Sequence, residues 1–161
     1  MTVRMVALAL VLLMFGAAAF ASGDFMLDDQ FERTHARTDL FKDDPVVIVA
    51  GAQRKTPDAM QAWDRALRAR APEGTRVFGL SNLKKLPFFV PKSGVRKNLA
   101  EMLPKTPVLL DWKGKVYPTL GFPADALIAV GVFSAKGERI GLVNGEPNES
   151  RLAKVMTLLS R

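Results

Sequence analysis

The 161-residue chain contains no cysteine. Disulfide bonds, thiol nucleophiles and thiolate-ligated metals are therefore excluded. It contains one histidine, His35, so a multi-histidine metal centre is excluded as well. A glycine-rich phosphate loop and a serine nucleophile elbow are also missing. Acid–base pairs do not stand out: Asp28-Asp29 and Asp43-Asp44 are neighbours in sequence and read as turns. Like charges never run beyond two or three residues. The 23 basic and 16 acidic residues leave a net charge of +7, which favours anionic surfaces or a generally solvated one.

What is present begins with a three-part N-terminal pattern. Arg4 supplies a positive charge, Met5 to Phe15 is almost wholly apolar, and Ala19-Phe20-Ala21 is a small-x-small cleavage signal. Residues 1–21 are expected to be a signal peptide cut after Ala21, making the protein periplasmic. Nucleic acid is then not an expected partner. The alternative is an uncleaved anchor, since the apolar run from Met5 to Ala21 is at the short limit for a membrane span. No later segment is long and apolar enough to cross a bilayer. A mature chain without disulfides must stand on its core, and its length allows that.

Residues 22–44 read as an extension, with Phe25-Met26-Leu27 and Thr34-His35-Ala36 as a small hairpin. Residues 45–161 read as one domain. Pro45 to Ala50 is a β-branched run that suits a strand buried on both faces. A helix follows, with Thr56 as cap, Pro57 at its first position, Asp58 complementing the dipole, and Met60, Trp63, Leu67 and Ala71 on one face. Arg76 to Leu80 is the next strand, completing a right-handed βαβ unit. Ser93 is placed as the cap of a short helix carrying Val95, Leu99 and Met102. Thr106 to Asp111 is a third strand, and Val116 to Phe122 is either a helical turn or extended. Ala126 to Phe133 and Glu138 to Val143 form a hairpin, and Asn148 caps a last helix. This order predicts an α/β fold of thioredoxin-like type, a central mixed sheet with helices on both faces and an N-terminal hairpin in front.

Particular residues carry a resemblance to the redoxin and peroxiredoxin-like proteins. Asp29-Gln30-Phe31-Glu32-Arg33 resembles their D-Q-x-G-R turn, with Glu32 where glycine is preferred. Leu109 to Val116 resembles their L-x-D-x-x-G-x-V element, and Val132 to Ile140 followed by Gly145 resembles their closing hairpin. Among these families the exported YtfJ-type branch is the most similar. The resemblance implies redox cysteines within Gln53 to Thr56 and a cis proline just before the Ala126–Phe133 strand. The chain has neither: no cysteine stands in the first segment, and Ala126-Leu127-Ile128 occupies the second.

The function expected is therefore non-catalytic: a binding, adaptor or chaperone-like module, with no cofactor, whose partner is another envelope protein or an anionic ligand. Gln53, Arg54, Lys55 and Thr56 are the first candidate contacts, because helix N-termini accept anions and two cations precede this one. Thr56 is otherwise an ordinary cap, and a hydroxyl without a base is a poor nucleophile. Phe88 and Phe89, between Pro87 and Pro91, are either a recognition patch or a plug for one end of the core. Lys84, Lys85, Lys92, Arg96 and Lys97 form a basic face near them. Trp112 and Tyr117 flank a turn as contacts or partly buried residues, Trp63 belongs to the core, and His35 to a surface or strand. The competing functions are an envelope enzyme working through Arg54 to Thr56 and a membrane-anchored structural protein.

Overall fold

A computed structural model describes residues 23–42, 45–52 and 56–161. The leader and the Gln53-Arg54-Lys55 and Asp43-Asp44 readings lie outside these residues. The elements run β1 (Met26–Asp28), β2 (Thr34–Ala36), α1 (Arg37–Leu40), β3 (Val46–Gly51), α2 (Thr56–Arg70), β4 (Arg76–Asn82), α3 (Lys92–Met102), β5 (Val108–Asp111), α4 (Val116–Thr119), β6 (Ile128–Phe133), β7 (Arg139–Asn144) and α5 (Glu149–Leu159).

Five strands form one sheet in the order β5-β4-β3-β6-β7, and β1 and β2 pair separately. β3 is central, parallel to β4 and antiparallel to β6. Its six residues are all buried, as the unbroken β-branched run requires. Alternate residues face two cores. Val47 and Val49 join Trp63, Leu67, Leu99 and Val155 beneath α2, α3 and α5. Val46, Ile48 and Ala50 join Leu40, Phe78, Tyr117 and Phe122 beneath α1 and α4. The α/β thioredoxin-like architecture with helices on both faces is thus present.

Trp63 is fully buried, and its indole N–H donates to the Gly145 carbonyl at 3.0 Å. Gly145 has φ +100°, a conformation that explains glycine at this point of the closing hairpin. Asn148 caps α5 by accepting from the Arg151 N–H at 2.8 Å. Asp111 anchors the turn after β5. Its carboxylate accepts from the backbone N–H groups of Lys115, Val116 and Tyr117, so the undecided segment begins as a helical turn.

Four readings need correction. α3 starts at Lys92 with Pro91 as its cap residue, so Ser93 is inside the helix. Proline is well suited to end an extended segment at a helix start. β5 starts at Val108, because Thr106 turns its hydroxyl to Asp64 and Arg68 on α2. β6 likewise starts at Ile128 and not Ala126. Phe88 and Phe89 do not plug the core: they are 99% and 72% exposed.

The Asp29–Arg33 segment is a turn, as the sequence reads, and it carries two polar residues, Asp29 and Gln30, into the interior. Asp29 is fully buried. Its carboxylate accepts from the Phe31 and Arg33 N–H groups at 2.8 and 3.0 Å, and lies 2.9 Å from His35 Nε2 and 3.2 Å from Arg33 Nε. Burial pushes this carboxyl upward, but the His35 and backbone hydrogen bonds and the Arg33 charge hold it below its ordinary value. Gln30 reaches the outer edge of β5, accepting from the Val108 N–H at 2.7 Å and donating to the Leu103 and Thr106 carbonyls. The N-terminal turn therefore satisfies an edge that would otherwise be open.

Candidate functional site

β3 is the strand at which the chain's direction of travel across the sheet reverses. Such a switch point, at the carboxyl end of the strand, is where α/β sheets bind ligands. Here Gly51 ends β3 between Ser81 of β4 and Ile128 of β6, and α2 begins at Thr56.

Gly51, Thr56 and Leu127 meet closely at this point. Thr56 is 2% exposed, and its hydroxyl donates to the Leu127 carbonyl at 3.4 Å. A Cβ on Gly51 would lie 2.9 Å from that same carbonyl and would collide with Thr56 Cγ2. Glycine is needed here for close approach. Leu127 thus occupies the place where the resemblance puts a cis proline, and the described peptide bonds are all trans. The Thr56 hydroxyl is packed, not presented. His35 cannot serve it as a base: it is held by Asp29 and lies edge-on to Phe78, on the sheet face opposite α2.

Beside this closed point is an apolar groove of about 430 Å³. Its floor is the end of β3 and β4 with Thr56 and Pro57. Its walls are Leu83, Leu86, Pro87 and Val90 from the β4–α3 loop, and Gly94, Val95, Asn98 and Leu99 from α3. A larger pocket, about 590 Å³, lies between β1 and the β5–α4 turn and includes Trp112. The first is the better candidate because it opens at the switch point and helix start, whereas the second lies against the extension.

Among the described candidates, the structure brings Thr56 to the groove floor. Phe88 and Phe89 rise from the groove's loop into solvent, stacked edge to face with centroids 5.8 Å apart. Trp112 is elsewhere, half-buried with the Lys92 ammonium 5.0 Å above its ring. Tyr117 is buried, and burial followed by the Asp125 charge pushes its phenol up to about 12. Sequence reasoning missed Gly94, Val95 and Asn98. A glycine in the first turn of a helix was the available signal, and a Cβ there would meet Pro91 Cγ at only an ordinary 3.8 Å.

Comparison with known proteins adds the fold's company. No family model matches the sequence, and no curated protein matches it. Solved structures do. Etrx1, an exposed lipoprotein thioredoxin of Streptococcus pneumoniae, is 16% identical with a TM-score of 0.63, covering 84% of this chain and 98% of that one. A secreted Mycobacterium tuberculosis disulfide oxidoreductase homologous to Escherichia coli DsbE is 12% identical with a TM-score of 0.58, covering 84% and 94%. The peroxidoxin BcpB of Mycobacterium tuberculosis is 18% identical with a TM-score of 0.60, covering 86% and 92%. These similarities show a thioredoxin-like fold, and in this chain it carries no thiol.

Proposed function

We propose that the protein is an exported, non-catalytic binding module that holds a partner segment or anionic group in the groove between the start of α2 and α3. The observation that carries this reading is the pairing of an apolar groove with a sealed Thr56. The groove is open to an occupant, while the Thr56 hydroxyl on its floor is buried. Arg54 and Lys55 precede the helix start and would add cationic contacts for an anionic group, with the Gln53 amide as a neutral donor. Export is supported by the leader pattern and by two structural neighbours described as exposed or secreted.

In-cell photo-crosslinking from Asn98, on the groove wall, tests it, with Lys154 on α5 as control. A discrete adduct from Asn98 alone is expected, and Gly94→Leu should abolish it by filling the groove. A Cβ there meets Pro91 Cγ at an ordinary 3.8 Å and leucine replaces a poor helix former, so the fold should be kept. Identical diffuse patterns from both positions, or an adduct untouched by Gly94→Leu, would refute the groove as the binding site.

A further inference from the structure

The β4–α3 loop is built from two successive turns. The Leu86 N–H donates to the Leu83 carbonyl, and the Val90 N–H donates to the Pro87 carbonyl, each at 3.0 Å. The corner residues are Lys84-Lys85 in the first turn and Phe88-Phe89 in the second. The residues that open and close each turn, Leu83, Leu86, Pro87 and Val90, face the groove. All four corner side chains are exposed. Turn corners normally carry polar residues or glycine, and nothing in the turn geometry calls for two phenylalanines.

The charge in the sequence around the pair is of one sign. From Glu73 to Glu101 the chain contains no other acidic residue, and Lys84, Lys85, Lys92, Arg96 and Lys97 all fall near the loop. Arg96 is taken up by Glu32 and Asp28 of the N-terminal turn, and Lys92 rests over Trp112. Among the described residues, no carboxylate pairs with Lys84, Lys85 or Lys97.

We propose that this loop docks on an anionic lipid surface, with Phe88 and Phe89 entering the headgroup–acyl boundary and Lys84, Lys85 and Lys97 meeting the lipid charge. Charge complementarity selects this occupant. The patch is an exposed pair of aromatic rings flanked by lysines for which the described residues supply no carboxylate. A protein interface of standard size carries an apolar core of many residues with a polar rim. A bilayer interface accepts a small aromatic tip flanked by lysines, and the surface potential of anionic lipid attracts such cations. The inference stands on the outward residues of the loop, although Lys85 also borders the groove.

The absence of cysteine makes the test clean, since one introduced cysteine takes a polarity-sensitive fluorophore at a single position. The full chain carries the apolar Met5–Ala21 segment, so the reporter must sit at the loop. Ser93→Cys is exposed beside it, and Lys154→Cys on α5 is the control. Vesicles of phosphatidylcholine with about a quarter phosphatidylglycerol should blue-shift the Ser93→Cys probe and leave the control unchanged. Apparent affinity should fall on the order of tenfold in Phe88→Ser/Phe89→Ser, in Lys84→Glu/Lys85→Glu, and on pure phosphatidylcholine. High salt should weaken it in the same direction. A probe that stays in water at every lipid concentration, or shifts equally in the phenylalanine double variant, overturns the proposal. So does a shift that grows with protein concentration in the absence of vesicles, which would assign the patch to a second copy of the chain.

Discussion

Two loops of this protein invert the usual sorting of polar and apolar residues, and they do so in opposite ways. The Asp29–Arg33 turn takes a carboxylate and an amide into the interior. The Leu83–Val90 loop holds two phenylalanines out in water. In the first, every inversion has a partner inside the molecule: Asp29 has two backbone N–H groups, His35 and Arg33, and Gln30 has the β5 edge. In the second, the two rings have each other and solvent. A buried polar group answered from within is a structural device. An exposed apolar pair with no internal answer points to something outside the chain.

The largest effect that would break this contrast is at Asp29. Asp29→Ala should cost about 2–4 kcal/mol by leaving buried donors unanswered, measured by chemical denaturation at neutral pH. The pH dependence has a definite sign. Because this carboxyl titrates lower when folded than when unfolded, its stabilisation is present above about pH 4 and is lost as pH falls through the folded value. The wild-type protein should therefore lose stability over that acid range, and Asp29→Ala should lose less. Equal acid limbs would show that Asp29 is not the group responsible.

A smaller effect sharpens the same comparison at Glu32, whose φ of +64° is the left-handed region. Glu32→Gly should raise stability by up to ~1 kcal/mol, the gain in strain being offset by unfolded-state entropy and by the exposed Arg96 contact. A loss in thermal or denaturant unfolding would mean that the Arg96 pair outweighs the strain. The smallest expected effect is in the second loop. Phe88→Ser/Phe89→Ser should shift folding stability by no more than ~0.5 kcal/mol, since side chains this exposed contribute little to the core. A loss well above that would show that the rings serve the fold after all.

Much of this scaffold was legible because its signals are local. The Val46–Gly51 run, the Met60–Trp63–Leu67 stripe, the Asn148 cap and Gly145 each declare their conformation within a few residues. The D-Q-x-G-R turn was legible as a pattern but not as a burial: Gln30 finds its partners 73 to 78 residues away. For the same reason the Asp29–His35 pair was not visible, since sequence spacing alone does not say that a turn folds its carboxylate under a returning strand. The groove was half legible. Thr56 was named from the helix start, while Gly94, Val95 and Asn98 joined it only through the angle at which α3 returns. Phe88 and Phe89 were seen as unusual, and their exposure, which depends on how the two turns present them, rules out the plug.

The contact between Gly51, Thr56 and Leu127 has a consequence for any attempt to turn this scaffold into an oxidoreductase. A sulfur atom installed at position 56 would inherit a site that is sealed from solvent and faces a carbonyl oxygen. Both features disfavour the thiolate, so the nucleophilic form would be scarce and the approach of a disulfide blocked. Redox function at that position would require moving the Leu127 carbonyl that precedes β6. At position 56, then, the main chain as well as the side chain stands against a reactive thiol.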